Sequence, residues 1–379
     1  MICPQARDER YSRSDRYRVR LAGPDLDTAD VDPKALLDEL AALGADGVVG
    51  TKDRSALLAA LVAERRGLPG PSPAAIVACQ HKPTSRAIQR RVAPEAIPRF
   101  AVLDGVPPFA APWWVKPVVG RLSQEARRVD GKADLAAIAE EPSYRDAYAE
   151  LAALAGLPRD GVRGFLVEEL VEGEEVTLEG FVHDGRVTVI GVTDSVKYPG
   201  TNSFERFEYP SALAPGRLLE LGELATALVA AHGLEACFFN VEFLVTADGS
   251  ARVVELNPRI ASQFSPLVQA VHGRSTYDAL FALACGEDPR WDVGEPSGVA
   301  ISYVVRVFED ALVTAVPDPQ DGLEILVRPG LELSEQGTND TASYRLAIFT
   351  EWGETREDAL KRCRERARSL PFELEALPR

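Results

Sequence analysis

The sequence predicts a mixed α/β protein, and three observations carry that reading. Residues 1–95 alternate short apolar runs with capped helices, the pattern of βαβ units that build a parallel sheet. Residues 163–260 hold two hairpins, each turning at an Asp-Gly pair, with a long helix of apolar stripe between them. Residues 291–379 read as strands followed by a charged helix. The chain of 379 residues is long enough for two or three domains and a sizeable core. It shows no secretory signal, no run of 18 apolar residues, no internal repeat and no low-complexity tract.

Composition narrows the partners. Hydrophobic residues make up 46% and charged residues 26%, ordinary values for a soluble protein. The formal net charge of −16 argues against nucleic acid, which calls for a basic footprint, and against an anionic membrane surface. It does not exclude a small phosphorylated ligand, because local lysines and a divalent cation override a global charge. The five cysteines (Cys3, Cys79, Cys237, Cys285 and Cys363) are scattered and lack CxxC spacing, as expected for reduced thiols in the cytoplasm. Cys237 and Cys285 sit in apolar runs and are expected in the core.

The elements follow in order. The arginines before residue 21 are interleaved with acids and read as a solvated face, and Tyr17–Ala22 reads as a strand. Asp32-Pro33 opens a helix with Leu36, Leu37, Leu40 and Leu43 on one face, ending at Gly44. Asp46–Gly50 reads as a short buried strand, Ser55–Arg66 as a helix closed by Gly67, and Ser72-Pro73 as the cap of a third helix. No GxGxxG is present. Pro94–Pro112, with prolines at 94, 98, 107, 108 and 112, reads as a boundary around one strand, Phe100–Leu103. Trp113-Trp114-Val115-Lys116-Pro117 reads as a strand that aims an ammonium into a cleft. Helices are expected near 132–140 and 143–155, and a strand over Phe165–Val171. In the first hairpin Asp184-Gly185 joins Glu175–Val182 to Arg186–Asp194, which sets Glu175 opposite Asp194. Residues 193–213 read as an irregular segment lining a substrate site, with Tyr198, Ser203 and Arg206 as candidates. A helix over Gly216–His232 packs Leu218, Leu221, Leu224, Ala225 and Leu228 on the sheet, and another follows near 263–272. Later strands are expected at Gly298–Phe308, Leu312–Val316, Leu323–Val327 and Ser343–Thr350, then a helix over Glu354–Ser369. Arg306 and Arg345 are read as surface residues.

The second hairpin concentrates the chemistry. CFFNVEFLVTADGSARVVELNPRI (237–260) reads as strands Phe238–Val245 and Ala251–Leu256 joined at Asp248-Gly249. With those two residues as the loop, Glu242 falls opposite Glu255 and Asn240 opposite Asn257. Strand alternation then puts all four on one face. Like charges directly opposite destabilise a sheet, so the pair calls for a cation. Oxygen ligands beside a neutral amide suit a hard ion such as Mg²⁺. Arg259, just past the strand, is placed to stabilise negative charge at a reacting centre. The plainer alternative is a solvated hairpin with two acids facing water; its apolar flanks and Asn257-Pro258-Arg259 exit weigh against that.

Glu242…Glu255-Leu256-Asn257-Pro258-Arg259 resembles the metal-binding signature of the ATP-grasp superfamily, and the chain looks like one of its carboxylate–amine (amino acid or peptide) ligases. The resemblance covers roughly residues 45–370. It implies a Rossmann-like domain (1–95), a small ATP-clamping subdomain (96–168), a large one with the Mg/ATP site (169–290), and a C-terminal α+β subdomain (291–379) that completes the substrate cavity. It implies Glu242, Glu255 and Asn257 as ligands of Mg²⁺, with Mn²⁺ as an alternative, and Arg259 as the group facing an acyl phosphate. Lys82 and Lys116 match the lysines on the ATP phosphates, Lys116 and Arg259 being the catalytic pair. Glu168, Glu169 and Leu170 match the adenine hinge, Glu175 the ribose acid, and Asn240 lies beside the nucleotide. The family usually has Asp before the first lysine, where this chain has His81. It usually has a glycine-rich phosphate loop, where this chain has Gly120-Arg121-Leu122-Ser123-Gln124, leaving Ser123 to share that role. Biotin-dependent carboxylases of the superfamily have Val-Glu-His where this chain has Ser262-Gln263-Phe264.

The implied reaction is ATP-dependent activation of a carboxylate as an acyl phosphate, attacked by an amine to give an amide, ADP and phosphate. The partners implied are small-molecule carboxylate and amine substrates, with neither nucleic acid nor membrane, and a homodimer is compatible. Two rivals remain at this stage: a carboxylase acting on bicarbonate, and a non-catalytic nucleotide-binding protein.

Overall fold

The computed structural model describes residues 2–4, 16–22, 31–120, 125–140, 146–336, 339–340 and 343–377. Most of the arginine-rich opening and the Gly120–Gln124 loop beyond Gly120, Ser123 included, lie outside the described residues.

Strands β1 (Ile2–Pro4) and β2 (Arg20–Ala22) pair in parallel as a two-stranded sheet. Helix α1 (Pro33–Ala42) starts where Asp32 accepts the Lys34 N–H at 2.9 Å, and buries Leu36, Leu37 and Leu40. Helix α2 (Asp53–Arg66) stops at Gly67, whose φ of +63° suits a residue without Cβ. Helix α3 (Pro73–Gln80) is capped by the Ser72 hydroxyl, and α4 (Lys82–Val92) follows at once. The strand expected at Asp46–Gly50 is instead a segment with one isolated bridge at Val48, buried over residues 47–49. A Cβ on Gly47 would meet the Ala284 carbonyl at 2.4 Å and one on Gly50 the Ser55 backbone at 2.2 Å, so glycine is needed where this backbone lies directly against its neighbours.

A four-stranded antiparallel sheet holds β3 (Phe100–Val102), β4 (Trp113–Pro117), β5 (Arg127–Val129) and β6 (Phe165–Glu169) in the order β3-β6-β4-β5. Between β5 and β6 come α5 (Lys132–Glu140) and α6 (Asp146–Leu154). Helix α6 joins the core of α1–α3 through Tyr148, Leu151 and Ala152.

The larger sheet is built from β7 (Glu174–His183), β8 (Arg186–Lys197), β9 (Phe204–Tyr209), β10 (Cys237–Val245), β11 (Ala251–Asn257), β12 (Val299–Val307), β14 (Leu323–Ile325) and β16 (Ser343–Gly353). The order is β11-β10-β7-β8-β9-β12-β16-β14, with short β15 (Asn339–Asp340) also on β16. Helix α7 (Pro215–His232) covers one face, packing Leu221, Ala225 and Leu228 with Val241, Phe243 and Val253. Helices α8 (Ser265–His272) and α9 (Thr276–Ala284) cover one end of the other face through Phe264, Leu267 and Phe281. Helix α10 (Arg356–Ser369) packs Ala359 and Cys363 against Ile301 and Phe349. The remaining strands, β13 (Ala311–Ala315) and β17 (Glu373–Ala376), pair with each other.

Three further expectations change. Residues 193–213 are not irregular: β8 runs to Lys197 and β9 fills Phe204–Tyr209. The turn Asp184-Gly185 has positive φ at both residues, as expected, but Ile190 bulges out of β8. Beyond that bulge Glu175 faces Ser195 and Asp194 faces Val176, so the expected pairing of Glu175 with Asp194 is not made. Arg306 is buried at 9% exposure rather than on the surface, donating to the Ser343 hydroxyl at 2.8 Å.

Candidate active site

The acid pair forms as the sequence predicts, by a route the sequence does not show. Glu242 pairs with Glu255, and Asn240 with Asn257. The loop, however, is three residues, Ala247-Asp248-Gly249, closed by the Thr246 N–H to the Ser250 carbonyl at 2.9 Å. Only Gly249 of the Asp-Gly pair has positive φ, +82°. A three-residue loop displaces the register by one, and near the turn Phe243 accordingly faces Val253. Val254 is then left without an opposite residue, a bulge that restores the offset at Glu242 and Glu255.

The bulge also positions a carbonyl. Val254 O accepts from Arg86 Nη2 at 2.8 Å and from Lys116 Nζ at 3.4 Å. Both cations turn to Glu168 as well: Arg86 Nε lies 2.5 Å from Oε1, and Lys116 Nζ 2.8 Å from Oε2. All three side chains are buried. Burial pushes the Glu168 carboxyl up, but the charges of Arg86 and Lys116 outweigh it and hold it at about 2. Burial pulls the Lys116 ammonium below its ordinary range against the attraction of Glu168.

Lys82 approaches from the other side. Its backbone N–H donates to Val118 O at 2.9 Å, which fixes the start of α4 beside the exit of β4. Its ammonium lies 3.0 Å from Glu255 Oε1 and 3.1 Å from the Gly120 carbonyl. Two lysines from different elements thus converge on the acid hairpin. Asn257 Nδ2 donates to Asn240 Oδ1 at 3.0 Å and to Glu242 Oε1 at 3.1 Å. The Glu242 carboxyl is raised above the usual carboxylate range, first by burial and then by the charges of Glu255 and Glu175. Among the described residues no three His, Cys, Asp or Glu side chains form a ready metal cage. The donor set is two carboxylates on opposed residues and an amide, all oxygen, which fits a hard divalent ion completed by ligand oxygens. Arg259 is held by Asp53 at the first turn of α2, Nε to Oδ1 at 2.7 Å.

Residues 109–266 match the family model of the ATP-grasp domain. This chain carries an ATP-grasp domain. Solved structures agree on the fold. An L-amino acid ligase from Bacillus licheniformis superposes with a TM-score of 0.75 at 19% identity, over 94% of this chain and 88% of that one. Phosphoribosylglycinamide synthetase from Anaerococcus prevotii gives 0.69 at 15%, over 99% and 98%. The biotin carboxylase domain of Hydrogenobacter thermophilus 2-oxoglutarate carboxylase, in complex with MgADP, ADP and bicarbonate, gives 0.68 at 18%, over 94% and 81%. At such identities the likeness establishes the fold alone. No curated protein sequence matches the chain.

Within the ATP-grasp domain the other candidates spread out. Glu169 ion-pairs with Arg99, Oε2 to Nε at 2.6 Å, on the rim, and the Leu170 N–H donates to Pro112 O at 3.3 Å. Glu175 pairs with Lys197 at 3.0 Å. Arg206 is engaged by Glu205 and by Glu208. Tyr198 donates to Val304 O at 3.0 Å, and the Ser203 hydroxyl meets that of Ser343 at 2.7 Å. Asp194 accepts from Ser211 and from the Ala212 N–H. Three residues of the neighbourhood escaped the sequence: Arg86, Asp53 and Glu179. Arg86 lies four residues after Lys82, one helical turn along the same face, a spacing that flags it. Glu179 lies two residues past Thr177 on the face of β7 that meets Glu242, and the same alternation that placed Glu242 locates it. Asp53 carries no local signal.

Proposed function

We propose that this protein is an ATP- and Mg²⁺-dependent ligase that activates a carboxylate as an acyl phosphate and joins it to an amine, releasing ADP and phosphate. One observation carries the reading: Lys82 and Lys116 converge on the Glu242/Glu255 hairpin while Arg259 is fixed beside it. Lys82 and Lys116 hold the phosphates and offset their charge during phosphoryl transfer. Ser123 serves in the phosphate loop. Glu168, Glu169 and the Leu170 backbone border the adenine, and Glu175 takes the ribose hydroxyls. Glu242, Glu255 and Asn257 hold the metal, Asn240 orients Asn257, and the bound ion supplies further neutralisation of phosphate charge. Arg259 stabilises the oxyanion formed when the amine attacks. The domain divisions given above, with a substrate cavity completed by residues 291–379, and a cytoplasmic location belong to the same reading. No helix among the described residues is long and apolar enough to cross a membrane.

The test is nucleotide turnover with Mg²⁺ across a panel of amino acids and other carboxylates, with and without amines. ADP and phosphate that depend on the carboxylate, and vanish in Glu255→Gln, are expected. AMP and pyrophosphate would overturn the acyl-phosphate chemistry. A second reading, carboxylation from bicarbonate, draws on the likeness to biotin carboxylase domains. Ser262-Gln263-Phe264 weighs against it, and turnover that requires bicarbonate would restore it. ATP binding without turnover on any substrate would favour a binding-only role.

A further inference from the structure

Among the acids described at the site, Glu179 has a fully buried carboxylate oxygen with no hydrogen-bond partner. It sits on β7 at 3% exposure, facing Asn240 of β10 on one side and Gly191 of β8 on the other. Oε1 accepts the Ala261 N–H at 2.6 Å, two residues beyond Arg259. Oε2 is buried with no hydrogen-bond partner. A buried carboxylate oxygen without a donor is costly, and a ligand that brings a donor removes that cost.

The neighbours do not supply that donor. Asn240 Nδ2 is committed to Arg259 O at 3.0 Å, and the Arg259 guanidinium to Asp53. The Tyr209 hydroxyl, beside Gly191, meets Ile190 O and His272 Nε2. Burial lifts the Glu179 carboxyl to about 8, against the Ala261 N–H and the more distant charge of Arg259. The loop above carries two more unpartnered buried polar atoms, Ser262 Oγ and Gln263 Nε2, immediately after the Ala261 whose N–H Glu179 accepts. Unfilled hydrogen-bonding capacity therefore gathers where the β7 face meets the 261–263 loop, next to the arginine assigned to the reacting carboxylate.

We propose that Glu179 is the anchor for the α-ammonium group of an amino-acid substrate, whose own carboxylate is the one activated beside Arg259. This rests on the ligase reading and names its acid as an α-amino acid. An ammonium brings three donors, for which Glu179 Oε2 and Ser262 Oγ are acceptors. The attacking amine must be neutral, whereas an ammonium seated on Glu179 draws that carboxyl back to its ionised form and is itself held protonated, so the amine held here is the one that does not react.

The experiment is calorimetry on the full chain with Mg²⁺ and a non-hydrolysable ATP analogue. It compares the proteinogenic L-amino acids with their des-amino carboxylates, in wild type, Glu179→Gln and Glu179→Asp. At least one amino acid should bind about 100-fold more tightly than its des-amino counterpart, because a site built for a polar group rejects the analogue that lacks it. Glu179→Gln should abolish that preference and Glu179→Asp retain part of it. Equal binding of both ligands by wild type, no binding of any amino acid, or an intact preference in Glu179→Gln overturns the proposal. Wild-type ADP formation is read separately. Turnover on simple carboxylates without amino-acid preference removes the ammonium site and leaves the ligase. Amino-acid preference with no ADP from any carboxylate removes the ligase reading and, with it, the activated-acid role given to that amino acid.

Discussion

Arg259 and Asp53, 206 residues apart, form an ion pair in which Nε donates at 2.7 Å and Nη2 at 3.4 Å to the two carboxylate oxygens. The pair links the exit of the acid hairpin to the first turn of α2. An arginine on a loop exit is mobile by default, and a two-point contact fixes both its position and its plane. The N-terminal helices therefore do more than flank the ATP-grasp domain, because they set the aim of its arginine.

Asp53→Asn should lower kcat by about 100-fold, the scale of a misplacement of about 1 Å, while leaving nucleotide affinity within about twofold. Steady-state kinetics beside nucleotide titration checks this. Equal losses in both would place Asp53 in nucleotide binding instead.

Glu168→Gln should cost about 3–5 kcal/mol in urea unfolding, because it leaves Arg86 and Lys116 as buried charges without their anion. The wild-type contribution also has a pH signature. The folded carboxyl sits at about 2 against an ordinary 4.5, so its stabilisation is complete above 4.5 and is lost as pH falls through 2. Urea midpoints between those pH values should fall less steeply in the variant. Parallel slopes would show that the ion pairs do not carry the acid sensitivity.

Glu179 predicts the opposite limb. Its folded carboxyl sits at about 8 against an ordinary 4.5, so the protein without substrate is best stabilised below 4.5 and loses that share as pH rises through 8. Glu179→Gln should flatten stability across this range, measured by urea titration at constant ionic strength. A wild-type curve already flat there would contradict the burial argument.

Removing either acid of the hairpin should separate metal from nucleotide. ADP should raise the wild-type melting temperature more with Mg²⁺ than with a chelator. Glu242→Gln and Glu255→Gln should lose that difference, with apparent metal affinity down by about 10–100-fold or more. An unchanged Mg²⁺ increment in both variants would move the metal elsewhere.

Legibility in the sequence tracked the range of the interaction. Asp32-Pro33 and Ser72-Pro73 announce helix starts because a cap is made within three residues. The 237–260 hairpin gave the right pairs because two one-residue departures cancel, a three-residue loop and the Val254 bulge, and nothing at Val254 marks it in advance. In the 174–197 hairpin the Ile190 bulge has no such compensation, and the expected partner of Glu175 moved by one residue. Arg86 with Glu168, Arg259 with Asp53 and Arg306 with Ser343 are bonds between distant segments. Periodicity and turn chemistry are silent on such pairs, so the burial of Arg306 was missed and Asp53 unsuspected.

Lys82 has one further consequence, through its 3.0 Å contact with Glu255. In the proposed metal site, an ammonium already occupies part of the field that a divalent ion needs. A free ion must evict it, and a free nucleotide draws the same ammonium to its phosphates while leaving two acids facing its negative charge. Each ligand alone therefore meets an obstacle that the other removes. Titrating ADP and Mg²⁺ singly and together should give weak separate affinities and a much tighter joint one, with the gap narrowed in Lys82→Met. The hairpin then acts as a coincidence detector, open to the chelate and closed to either half.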